Sequence, residues 1–260
     1  MVTKKFIRIL WGSFDRYKNQ IVEARKDNLN ETVVVWGEDN ANLLDELGYD
    51  CHLVSNSAYD PSIATDHTFK DHRSLIHKIE GLKIALDLLY DEIVFVDWDC
   101  RKVKEIDDNF WNLLRQKESK LQVPLYTYPK KAFNIMLEDT KREPHINNFI
   151  KKLKEYIEKY SFEYQTNHII PNTGFMYCND ITIIDKLLEI IKANDLQTVP
   201  DELSVFLYGQ HLGLNQFIKE IDPLVIGGKV HGYEWWNNIE DSFDKYKASF
   251  GNKTNYFIHY

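Results

Sequence analysis

The sequence predicts an α/β fold, a parallel or mixed sheet with helices on both faces, and three observations carry that prediction. The runs "FIRILW" and "TVVVW" are apolar or β-branched at nearly every position, as strands covered on both faces are. Helical periods alternate with such runs, the pattern that builds a parallel sheet. The 260 residues contain no Pro-, Gly- or Ser-rich linker and no internal repeat, so a single domain, 1–260, is expected.

Phe6 to Trp11 is the first predicted strand, closed by the turn Gly12–Ser13. Thr32 to Trp36 is the second, ended by Gly37. The short helical pattern "LLDELGYD", closed by Gly48, leads into a third, Cys51 to Val54. Asp71 to Tyr90 is a helix, because Leu75, Ile76, Ile79, Leu82, Leu86 and Leu89 recur at intervals of three and four. Ile93 to Val96 is the fourth strand. Further on, Val123 to Tyr128 and Gly174 to Cys178 read as strands, and Ile146 to Tyr160 as an amphipathic helix with lysines opposite its apolar face. Asn179 and Asp180 cap the helix "ITIIDKLLEIIKA". Asp201 to Gly209 and His211 to Glu220 are expected to be short helices. The apolar pieces "PLVIGG" and "NYFIHY" close the chain.

Composition narrows the function. A net charge of −8 leaves no bulk basic surface for gripping nucleic acid, only room for a local patch. Cys51, Cys100 and Cys178 fit neither a disulfide framework nor a zinc spacing, which points to a reducing, cytoplasmic setting. The N-terminal apolar run lacks a cleavage site and is too short to span a membrane. No Gly-x-Gly-x-x-Gly and no Walker A loop occurs.

The chemistry concentrates in "EIVFVDWDC", Glu92 to Cys100. A buried strand ends in two carboxylates, Asp97 and Asp99, separated by Trp98. Alternation along a strand sends both aspartates to one side and the tryptophan to the other. Ligands of open α/β sheets gather beyond such strand ends. Two hard oxygen donors suit Mg²⁺ or Mn²⁺ carrying a diphosphate. A solvated turn with capping aspartates is the plain alternative.

The segment "YDEIVFVDWDC" resembles the DxD segment of GT-A-fold nucleotide-sugar glycosyltransferases. The helix "HKIEGLKIALDLL" before it, "PNTGFMYCND" after it and "PDELSVFLY" further on are similar to other pieces of those enzymes, most of all glycosyltransferase families 8 and 32. The resemblance implies a Rossmann-like, mostly parallel sheet, a nucleoside diphosphate-sugar donor and Mn²⁺ or Mg²⁺. It implies a nucleotide-sugar-binding half, 1–105, and a second half, 106–260, for the acceptor and a C-terminal metal ligand. On this basis Asp97, Asp99 and His259 would hold the metal, with His231 in reserve. Trp11, Gly12, Ser13, Lys78 or Lys83, Asp97, Trp98 and Gly174 would face the donor. A core position for Trp11, and a histidine merely packed at a strand end, fit the residues as well.

Glycosyl transfer expels a diphosphate, whose charge a divalent cation and basic side chains stabilise. An inverting enzyme would need a base, for which Asp201 or Glu202 stands at a helix start; plain helix capping explains them equally. Families 8 and 32 are mostly retaining, which favours retention. Asn172 would address sugar hydroxyls, unless it only forms the turn before a strand. The acceptor is open: a glycan, a protein or a modified nucleic-acid base. Two other readings compete. One is phosphoryl transfer with Asp97 as nucleophile, and the other is a carbohydrate-binding protein without turnover.

Overall fold

Parallel pairing around the first strand organises the molecule, a computed structural model that describes residues 2–55, 75–88, 90–116, 118, 120–129, 151, 154, 155, 158, 167–171, 173–193, 218–222, 224–228 and 255–259. Strand β1 (Lys4–Leu10) pairs in parallel with β2 (Glu31–Val35) on one side and β4 (Glu92–Val96) on the other, and β2 pairs with β3 (Asp50–Leu53). Beyond β4 lie β9 (Phe175–Cys178), β6 (Leu121–Val123) and β10 (Ile218–Glu220). The seven-stranded order is 10-6-9-4-1-2-3, and β9 alone runs against its neighbours. The predicted mostly parallel sheet is thus observed.

The chain steps from β1 to β2 to β3 in one direction and returns to the opposite side of β1 for β4. That reversal opens a crevice beyond the carboxyl ends of β1 and β4, where ligands of such sheets bind. Both faces of the sheet are covered. Ile7, Ile9, Ile93 and Phe95 pack with α3 (Leu75–Asp87) and α5 (Ile181–Ala193). On the opposite face, Leu10, Val33 and Val35 pack with α1 (Phe14–Arg25) and α2 (Glu38–Glu46). There Phe6, Val94 and Val96 meet Phe110, Trp111 and Leu114 of α4 (Asp108–Arg115).

Local chemistry accounts for the boundaries. Gly48 closes α2 at φ 79°, a left-handed conformation that a Cβ disfavours, and its N–H donates to Asp45 O at 2.8 Å. Asp180 accepts from the backbone N–H and hydroxyl of Thr182, capping α5 as expected. Helix α3 approaches the sheet closely at Gly81, where a Cβ would lie 2.7 Å from Ile9 Cδ1.

Two further sheets complete the fold. Strands β7 (Leu125–Pro129) and β8 (Asn167–Pro171) form an antiparallel pair. Strand β12 (Phe257–His259) lies between β11 (Ile226–Gly228) and β5 (Cys100–Lys102), parallel to the first and antiparallel to the second.

Several expectations shift. The single strand 123–128 is two strands, β6 and β7, with Pro124 between them. Residues 218–220 of the expected helix His211 to Glu220 form strand β10 instead, because buried Ile218 pairs with Leu121, and 211–217 lie outside the described residues. Lys151, Lys154, Glu155 and Glu158 are helical and exposed, on the polar face of the predicted 146–160 helix. The sequence patterns do not predict helices α1 and α4 or strands β5 and β8. The helix at 201–209 lies outside the described residues.

Candidate active site

Strand β4 ends at Val96, and the acidic pair sits in the tight turn that follows. Cys100 N–H donates to Asp97 O at 3.0 Å, which closes the turn before the chain reverses into β5. Turn geometry, rather than the strand alternation expected, therefore disposes the three side chains. Asp97 N–H donates to Gly174 O at 2.8 Å, so the antiparallel neighbour β9 supports the turn from behind.

The two carboxylates meet different partners. Asp97 lies 3.2 Å from the ammonium of Lys78, a buried lysine on α3. Asp99 faces His259: its Oδ1 approaches the imidazole Nε2 to 3.2 Å. His259 arrives there because β12 pairs with β5 in a register that sets it opposite Cys100. That Oδ1 atom is buried and, among the described residues, accepts no aligned hydrogen bond; it meets the imidazole as a close ion pair. Burial raises the cost of the Asp99 charge, but the imidazole and Lys78 outweigh it and hold the carboxyl below its ordinary range. For His259, burial disfavours the cation, yet the carboxylates of Asp99 and Asp97 raise its proton affinity.

A buried, orphaned carboxylate oxygen facing an imidazole nitrogen fits a divalent cation that takes oxygen and nitrogen donors. Cys100 is the third metal-ligating group within 4.8 Å of both. Its thiol donates to Gly174 O at 3.3 Å, and burial keeps it protonated, which leaves a carboxylate oxygen and an imidazole nitrogen as the donors presented.

The other predicted residues divide. Trp11, Gly12 and Ser13 directly follow β1, the neighbour of β4, and so border the same crevice. Asn40 ties this loop down, donating to Gly12 O and Trp36 O and accepting from Phe14 N–H. Trp11 is half-buried, with its ring stacked near that of His77. Gly174 contributes its carbonyl, as above. Lys78 reaches the site, whereas Lys83 pairs with Asp185 and Asp87 along α3 and α5. Trp98 turns into the core with Leu10, Phe14 and Tyr49, its indole N–H donating to Ile9 O at 2.9 Å. Asn172, Asp201, Glu202 and His231 lie outside the described residues.

Arg8 was overlooked. It is fully buried, and its guanidinium donates to Asp97 O at 2.8 Å and to Glu31 at 2.8 Å. The one signal available was a lone charge inside an apolar strand, "FIRIL".

No family model matches the chain, and no curated protein sequence does. Solved structures do. Mouse xyloside xylosyltransferase 1, in its apo form, superimposes with a TM-score of 0.53 at 11% identity, over 99% of this chain and 98% of that one. The fold is that of the GT-A glycosyltransferases. Two weaker likenesses are to galactosyltransferase LgtC with donor and acceptor sugar analogues, and to a glycosyltransferase of PBCV-1 capsid glycosylation. The first has a TM-score of 0.48 and 11% identity, covering 98% of this chain and 86% of that one. The second has a TM-score of 0.42 and 10% identity, covering 99% and 93%. At 11% identity the likeness to the xylosyltransferase speaks for the fold. No helix among the described residues is long and apolar enough to cross a membrane.

Proposed function

We propose that this chain is a metal-dependent glycosyltransferase that moves a sugar from a nucleoside diphosphate-sugar to an acceptor hydroxyl. One observation carries the reading. At the crevice where the sheet order reverses, the buried Asp99 Oδ1 accepts no aligned hydrogen bond among the described residues and faces His259 Nε2 at 3.2 Å. Asp99 and His259 would hold Mn²⁺ or Mg²⁺. Bound there, the cation supplies Lewis-acid stabilisation of the diphosphate leaving group.

The chain's own residues then have separate tasks. Lys78 pairs with Asp97 and would add positive charge on the phosphate side of the crevice. Asp97 serves through water or by holding the ribose or sugar. The loop Trp11–Ser13 borders the base and ribose, with Asn40 keeping it in register. Trp98 acts as a core anchor for the turn. Asn172 would address the sugar hydroxyls. Retention at the anomeric carbon is proposed from the resemblance to families 8 and 32, and under inversion Asp201 or Glu202 would be the base. The halves 1–105 and 106–260 would serve donor and acceptor. The acceptor is a glycan, a protein or a modified nucleic-acid base.

The test is a thermal-shift panel of nucleoside diphosphate-sugars, each with and without Mn²⁺, followed by titration calorimetry. Asp99→Ala should abolish Mn²⁺-dependent binding of a nucleoside diphosphate and leave the circular dichroism spectrum unchanged. Equal affinity in wild type and variant rejects the assignment. Sugar binding that needs no metal and gives no turnover would favour a carbohydrate-binding protein, and a trapped phospho-aspartate at Asp97 would favour phosphoryl transfer.

A further inference from the structure

We infer that Arg8 is a positioning residue that sets the two arms of the metal clamp, Asp99 and His259, against each other; the inference rests on the metal-dependent reading above. Arg8 projects from β1 on the face that carries Phe6 and Leu10, and no part of it reaches solvent. Its Nη1 donates to Asp97 O at 2.8 Å and lies 3.4 Å from Val96 O. Asp97 O is the same atom that accepts from Cys100 N–H to close the turn. Arg8 therefore grips the pivot of the turn that displays Asp99. Its guanidinium also lies 5.1 Å from the centre of the Trp98 ring, the turn's apolar anchor.

The same guanidinium reaches the other arm. Its Nη2 lies 3.7 Å from Asp27 Oδ2. Buried Asp27 in turn accepts two-pronged hydrogen bonds from Arg101, at 2.9 and 3.1 Å, and one from Lys102 N–H. Arg101 and Lys102 belong to β5, which pairs with β12 and so places His259. Glu31 takes Arg8 Nε, and Glu23 also pairs with Arg101 at 3.6 Å, so the two arginines are held among three carboxylates. A buried ion group is an expensive way to fill space, which an apolar side chain does as well. An apolar side chain cannot hold a carbonyl and a carboxylate at fixed separations, whereas the rigid guanidinium fork can.

The experiment uses the full chain and reads Mn²⁺ binding by electron paramagnetic resonance, with folding followed by circular dichroism. Arg8→Lys keeps the charge and loses the fork; Arg101→Gln cuts the β5 arm at a partly exposed site. Both are expected to raise the Mn²⁺ Kd by about 10–100-fold, the usual effect of losing a group that orients metal ligands. Each measurement is made where the variant is fully folded, and Arg101→Lys is expected to recover part of the loss. A purely structural role would lower the melting temperature and leave the Kd unchanged. Wild-type affinity in folded Arg8→Lys overturns the inference. Should Arg8→Lys not fold, wild-type affinity in Arg101→Gln overturns it. A wild-type protein that binds no Mn²⁺ sinks the metal reading itself, which separates the two failures.

Discussion

At the residue scale, the site is defined by how differently two neighbouring aspartates are treated. Asp97 forms an ion pair with Lys78, while Asp99 keeps a buried oxygen that accepts no aligned hydrogen bond among the described residues. A buried oxygen that accepts no aligned hydrogen bond is costly, and a ligand seated there would offset that cost. His259→Ala should therefore weaken Mn²⁺ binding by more than the about 10–100-fold that follows loss of a supporting group. Paramagnetic resonance titration measures this, and an unchanged Kd would remove His259 from the clamp. The acidic pair was legible in the sequence because two carboxylates at the end of an apolar run are conspicuous. Arg8 was not, because one charge in a strand says nothing about the groups it meets.

At the element scale, close approach and capping decide stability. Adding a methyl at Gly81 would bring it within 2.9 Å of both Cγ1 and Cδ1 of Ile9. Gly81→Ala should thus cost about 1–3 kcal/mol in chemical denaturation. Ile9→Val, which removes the nearer atom, should restore part of the loss in the double variant, so that the two effects are not additive. The cap of α5 is pH-dependent. Burial opposes the Asp180 charge, but Lys120 and Thr182 outweigh it and hold the carboxyl below its unfolded value of 3.8. Its contribution is present in full above that value and is lost as pH falls through the lowered folded one. Asp180→Ala should cost about 1 kcal/mol at neutral pH, and the difference from wild type should vanish on acidification. Urea titrations across the acid range measure both. The strands around β1 were legible because strands covered on both faces are apolar throughout. Helix α1 was not, since only Phe14, Ile21 and Ala24 of its residues are buried and its pattern is sparse. Strand β5 has only three residues, too few for a period to show.

At the scale of the whole molecule, binding at the crevice should stabilise the entire chain. Mn²⁺ with a nucleoside diphosphate at about 100 times its Kd should add about 2.7 kcal/mol to the unfolding free energy, seen as a raised melting temperature. Asp99→Ala should show no metal-dependent part of that rise. The amino-acid sequence alone determined the α/β class, the fourth strand and the carboxylate pair that ends it, because strand burial and clustered charge are local patterns. Tertiary structure alone decided which partner each carboxylate meets. His259 stands 160 residues beyond Asp99 and reaches it only through the β5–β12 register. Arg8, Asp27 and Arg101 join only when β1, the end of α1 and β5 pack together. Such meetings follow from long-range pairing and side-chain geometry, for which no spacing along the chain provides a signal.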